Sequence, residues 1–200
     1  VELVSEYHHP INPLDLLEEL GTATDWTLDR HSESELLIEM AGHWCSYNMY
    51  SVWQAEVSSM FFSCHFDMKV PEGRRSEVCE LLAQANERLW LGHFDLMAEE
   101  GALMYRHTIP LRGLQGASLE QLEDLVEAAL VECDRIYPAL QLVVWGGSPV
   151  REALDAALPA DLAPALMVFA VKPQMLAEAL PGYRGFAERG AAALSIAAGW

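Results

Sequence analysis

The run from Met60 to Lys69 constrains the fold more than any other stretch of the chain. Met60, Phe62, Cys64, Phe66 and Met68 alternate with Phe61, Ser63, His65, Asp67 and Lys69. A period of two sends the first set to one face of a strand and the more polar set to the other, which is the pattern of an antiparallel sheet buried on one side. Such a strand needs neighbours to pair its backbone and a layer to cover its apolar face. Leu36, Ile38 and Met40 alternate with Leu37, Glu39 and Ala41 in the same manner, so residues 26–70 read as three or four antiparallel strands.

Helical spacing brackets this sheet. Asn12-Pro13 supplies an N-cap and a proline at the first helical position, Leu14, Leu17 and Leu20 then share one face, and Gly21 is expected to stop the turn. Residues 72–91 return to helical spacing through Val78, Leu81, Leu82, Ala85 and Leu89, with Gly92 as terminator. Phe94 to Ala98 and Leu103 to Leu111 read as a hairpin across Glu100-Gly101, with Leu103, Tyr105, His107, Ile109 and Leu111 on one face. Ser118 with Gln121 forms a capping box for a long helix that carries Leu122, Val126, Ala129, Cys133 and Ile136 inward, is kinked at Pro138 and ends at Gly146-Gly147. The expected class is α+β, an antiparallel sheet flanked by helices.

Charge narrows the partners. The chain has 200 residues, 52% apolar, and a net charge of −18, of which −17 falls on residues 1–150. That field repels phosphate backbones and anionic lipid, so nucleic acid and membranes are excluded as partners, and a protein partner or a second copy is expected. The four cysteines form no CxxC pair, no secretory signal opens the chain and no apolar run is long enough to span a bilayer, which places the chain in the cytoplasm. A start at Val1 and an end at Trp200, just after a strand-like run, read as truncation at one or both ends.

Candidate chemistry is sparse. If the hairpin turned about Gln54 and Ala55, Cys45 would face Cys64, and His43 would share their side; His65 would point away. Three ligands of that kind would suit zinc, but Cys64 sits among Phe62, Phe66 and Met68, so buried thiols are the favoured reading and no metal is expected. His107 reads as a hydrogen-bonded core histidine, His8 and His9 lie in a terminal arm, and Glu120, Glu123, Asp124 and Glu127 favour a helix N-terminus. No catalytic residues are assigned. Trp44, Ser46, Asn48 and Tyr50 share the strand face opposite Cys45, Tyr47 and Met49, and this aromatic-polar set is the candidate binding surface.

Asn12-Pro13-Leu14-Asp15, Ala41-Gly42-His43-Trp44-Cys45, the stretch Ala85-Asn86-Glu87-Arg88-Leu89-Trp90-Leu91-Gly92-His93-Phe94-Asp95, and Val143-Val144-Trp145-Gly146-Gly147 resemble, in order, the YbjN family of bacterial proteins. The resemblance covers about residues 10–157 of a first domain taken as 1–157. It implies a fold similar to type III secretion chaperones, whose sheet and flanking helices bind protein segments or dimerise, and a regulatory role in sensory transduction. It carries no active-site residue.

From residue 158 the pattern changes to a strand over Leu166 to Val171, a helix over Met175 to Leu180 and a strand over Ala191 to Ala197, a partial Rossmann-type unit. Phe169-Ala170-Val171-Lys172-Pro173-Gln174 and Leu194-Ser195-Ile196-Ala197-Ala198-Gly199 resemble part of the nucleotide-binding domain of pyrroline-5-carboxylate reductase, the last enzyme of proline biosynthesis. The resemblance implies that Val171, Lys172, Pro173, Ala197, Ala198 and Gly199 line an NADP nicotinamide site. That family's Gly-x-Gly-x-x-Gly turn has no counterpart here, so the pyrophosphate cradle is missing. The expectation is a non-enzymatic chain with no cofactor; NADP would bind only in a longer chain that completed the reductase.

Overall fold

A computed structural model describes residues 10–24 and 26–157. Asn12 accepts a hydrogen bond from the Leu14 amide at 3.0 Å and caps α1 (Pro13–Ala23), an interaction worth about 1 kcal/mol. Leu14, Leu17 and Leu20 are buried as their spacing requires. Gly21 does not stop this helix but lies inside it, where an added Cβ would meet Leu28 Cδ2 at 2.7 Å. Its glycine serves a close approach and not a cap.

Six strands follow: β1 (Thr27–Ser32), β2 (Glu35–Ala41), β3 (Ser46–Gln54), β4 (Ser59–Lys69), β5 (His93–Leu96) and β6 (Ala102–Pro110). They form one antiparallel sheet in the order β1-β2-β3-β4-β6-β5. The stretch 26–70 therefore holds four strands. Met60, Phe62, Cys64, Phe66 and Met68 are all buried, and so are their inner-face neighbours Leu36, Ile38, Met49 and Tyr105. Arg30, on the same face of β1, reaches Asp15 at 3.0 Å and Glu18 at 3.3 Å and ties the edge of the sheet to α1. The β1–β2 register shifts between Arg30 and Ser32.

The β3–β4 connection corrects the expected register. Gln54 and Ser59 are the last paired residues, a 3₁₀ turn occupies Ala55–Val57, and Ser58 takes a left-handed conformation with φ 49°. The turn centre is thus displaced toward Glu56 and Val57. Cys64 pairs with Met49, and Cys45 precedes the strand altogether.

Among the described residues, 10–69 with 91–130 form one compact unit and 70–90 with 131–157 a second. In the second, a 3₁₀ turn (Glu72–Arg74) leads into α2 (Arg75–Asn86), which stops well short of residue 91. Gly92 has φ +64° and faces the Tyr105 ring, so it is not a helix terminator. The long helix α3 (Leu119–Val144) belongs to both units by residue number. Its capping box is present: Ser118 Oγ accepts from the Gln121 amide at 3.2 Å, and Gln121 Oε1 accepts from the Ser118 amide at 2.9 Å.

Pro138 lies inside α3 without ending it; Ile136, Tyr137, Ala139 and Leu140 around it are buried, and packing of this kind offsets one lost backbone bond. Gly147, at φ +67°, closes the helix as Ser148 N–H donates to the Leu142 carbonyl at 3.0 Å. A further helix, α4 (Val150–Ala157), buries Val150, Ala153 and Leu154. The strand-helix-strand unit expected after residue 158 lies outside the described residues.

Candidate binding surface

Strand β3 alternates as its sequence requires: Tyr47, Met49, Ser51 and Trp53 point into the core, and Ser46, Asn48, Tyr50 and Val52 point outward. Three of the four residues expected on a binding face are therefore brought together on the outer side of the sheet. The fourth, Trp44, is 48% exposed and lies in the turn before β3, which Gly42 N–H closes onto the Cys45 carbonyl at 2.8 Å. Its indole stands edge-on to the His43 ring, with centroids 4.7 Å apart.

Cross-strand pairing extends this face across the whole sheet, since directly paired residues project from the same side. One row runs Asp29, Leu37, Tyr50, Ser63, Arg106, His93, and the next runs Thr27, Glu39, Asn48, His65, Met104, Asp95. A third contains Glu35, Val52, Phe61 and Thr108. Apart from Met104, these side chains are half-buried or exposed, Tyr50 to 42%. Leu37, Val52, Phe61 and Tyr50 form its apolar centre. Leu37, Val52 and Phe61 are not candidate binding residues in the sequence reading, although the phase of the alternation places each of them on the outer side; His65, expected to point away from Cys64, does so.

The polar groups on this face are mutually engaged. Ser63 Oγ and His65 Nε2 lie 3.0 Å apart, the Tyr50 and His65 rings meet edge to face at 5.0 Å, and Arg106 pairs with Asp95 at 2.9 Å. Partial burial lowers the affinity of His65 for a proton, with Glu100 opposing. Ser63 and His65 thus offer a hydroxyl beside an imidazole biased toward its neutral form. They stand half-buried on the outer side of the sheet.

The groove beside this face is acidic. It has a volume of about 650 Å³ and is lined by Asn12, Glu33, Glu35, Trp53 and Glu56 among others, with Glu35 and Val52 common to groove and face. Among the described residues, no three His, Cys, Asp or Glu side chains converge as metal ligands would. The juxtaposition of His43, Cys45 and Cys64 does not occur, because the register places Met49 opposite Cys64. His107 pairs with Phe62 on the inner side but remains half-buried, and burial followed by His93 lowers its proton affinity.

Glu132 and Arg135 in α3 were missed. Their side chains are 4% and 9% exposed and form an ion pair one turn apart, a pair that i,i+3 spacing of opposite charges on a helix signals. Val171, Lys172, Pro173, Ala197, Ala198 and Gly199 lie outside the described residues, as do His8 and His9.

The model of the YbjN family, described as "Putative bacterial sensory transduction regulator", matches residues 13–142. No curated protein matches the chain. No described helix is long and apolar enough to cross a membrane.

Proposed function

The chain belongs to the YbjN family, and from that membership we propose that it is a non-enzymatic regulatory domain that binds a protein segment through the outer face of its sheet. The observation that carries this reading is the continuous row Leu37, Tyr50 and Ser63 with its neighbours Val52 and Phe61, a partly exposed apolar-aromatic centre on a sheet whose other side holds the buried core residues Ile38, Met49, Phe62, Cys64 and Tyr105. Soluble chains keep such patches small unless they are used. Binding of segments by a sheet with flanking helices is also what likeness to type III secretion chaperones would entail. The reading places the chain in the cytoplasm, in keeping with four free thiols.

The test is paired affinity capture and sedimentation with the wild-type chain and a Trp44→Ala/Tyr50→Ala variant. One protein should be retained stoichiometrically by the wild type and lost with the variant, whose fold is checked by circular dichroism. A chain that stays monomeric and retains nothing would refute the proposal.

In this reading the chain carries no cofactor, and function is confined to residues 1–157. Calorimetric titration with NADPH should give no saturable heat. Saturable binding would instead favour a reductase-like role for the tail.

A further inference from the structure

We infer that the occupant of the outer face is a cationic, amphipathic protein segment, with a lysine or arginine seated among the carboxylates at the β1–β2 end. The inference rests on the binding role proposed above and adds the chemistry of the partner. Its basis is the distribution of charge around the apolar centre. Asp29 pairs with Leu37, Glu39 with Asn48 and Glu35 with Val52, so each of the three rows carries a carboxylate on β1 or β2. All three are exposed, and none makes an ion pair with a lysine or arginine among the described residues, Asp29 having only the exposed His31 imidazole at 3.6 Å.

At the opposite end, Arg106 is neutralised by Asp95 at 2.9 Å. The face therefore presents an apolar strip with net negative charge at one end. Glu35 also lines the groove, where Glu33 and Glu56 stand beside the largely buried Trp53. A long cationic side chain entering there would gain several carboxylates and lay its methylene stem along Val52, which lines the groove and faces outward.

Charge decides between a foreign segment and a second copy. A two-fold pairing of this face would set Asp29, Glu35 and Glu39 of each copy, in a chain of net charge −18, against a surface on which Lys69 is the one strand lysine or arginine outside an ion pair among the described residues. Like-charge juxtaposition of this kind opposes self-association, whereas a basic segment is both steered in and neutralised.

The probe is a labelled twelve-residue peptide alternating lysine with leucine or phenylalanine, followed by fluorescence anisotropy on the full chain, with a glutamate-for-lysine peptide as control. The lysine peptide should bind and the glutamate peptide should not, and raising salt should weaken binding. Glu35→Lys/Glu39→Lys should weaken the lysine peptide at least about tenfold, equivalent to 1.4 kcal/mol. The same variant should acquire affinity for the glutamate peptide, a gain that only a folded protein can show. Glu19→Lys/Glu120→Lys, equal in charge change but on the helices of the same unit and not on a strand, should have a much smaller effect.

Absence of binding, equal binding of both peptides, or equal loss with both double variants would overturn the inference. A dimer that Tyr50→Ala dissociates would overturn it in favour of a second copy. If partner capture still depends on Trp44 and Tyr50 while the lysine peptide does not bind, the binding role stands and only the partner's charge is refuted.

Discussion

Replacing Gly92 with alanine should destabilise the first compact unit by about 3 kcal/mol or more, among the largest effects available to a single added methyl group. A backbone at φ +64° costs a side-chain-bearing residue about 1 kcal/mol. The steric cost adds to that. A Cβ at Gly92 would lie 2.3 Å from the Tyr105 ring and hydroxyl oxygen, a separation that atoms do not sustain, so the ring must move.

Tyr105 has little freedom to do so. It is fully buried, packs against Phe94 with centroids 5.6 Å apart, pairs with Cys64, and donates its hydroxyl to the Leu91 carbonyl at 2.7 Å. Forced repacking costs about 1–3 kcal/mol and loss of the hydrogen bond about 1 more. Urea unfolding of Gly92→Ala against the wild type measures the loss, and Gly92→Ala combined with Tyr105→Leu should recover part of it. A loss below about 1 kcal/mol would show that the β5 approach is softer than its geometry implies.

The second large effect concerns Glu132 and Arg135. Burial raises the Glu132 carboxyl to about 7, with Arg135 opposing the rise. The folded state therefore holds this proton more tightly than the unfolded chain. Its contribution to stability is complete below the ordinary glutamate value and is lost as pH climbs through about 7. The thermal midpoint should fall between pH 5 and pH 8, and Glu132→Gln, which preserves shape and the neutral form, should flatten that decline.

Arg135→Met should steepen it, because it strands a buried carboxylate; loss of one partner of a buried pair costs about 3–5 kcal/mol once the remaining group is charged. At pH 5, with Glu132 protonated, the same substitution should cost less. Scanning calorimetry of the three proteins across that range decides the matter. Parallel profiles for wild type and Glu132→Gln would exclude Glu132 as the source of the pH dependence.

Much of the sheet was legible because alternation is a local property. The runs Leu36 to Ala41 and Met60 to Lys69 assign each side chain to a face without knowledge of the partner strand, and the outer position of Ser46, Asn48 and Tyr50 follows from the same phase. Register is different. Moving the turn from Gln54-Ala55 toward Glu56-Val57 shifts the pairing by an even number of residues, so each side chain keeps its face while its neighbour changes. Periodicity is blind to such a slip, and the apposition of Cys45 with Cys64 fell to it.

Gly21 and Gly92 were misread for a related reason. A glycine required by a side chain distant in sequence, Leu28 or Tyr105, looks in one dimension like a helix stop. α4 carried a readable signal in Val150, Ala153 and Leu154, but it is only eight residues long.

The edges of the sheet bear on how its open side is tolerated. β1 presents Asp29, Arg30 and His31 in succession and breaks register between Arg30 and Ser32, while β5 at the other edge has only four residues. Edges that are charged, irregular or short are poor templates for another strand. A segment docking on the open face, as proposed, would thereby be denied the backbone and recognised by its side chains. The same guarding opposes edge-to-edge growth of a sheet with a partly exposed apolar face, so that selection at that face would rest on composition and not on the general appetite of one β-edge for another.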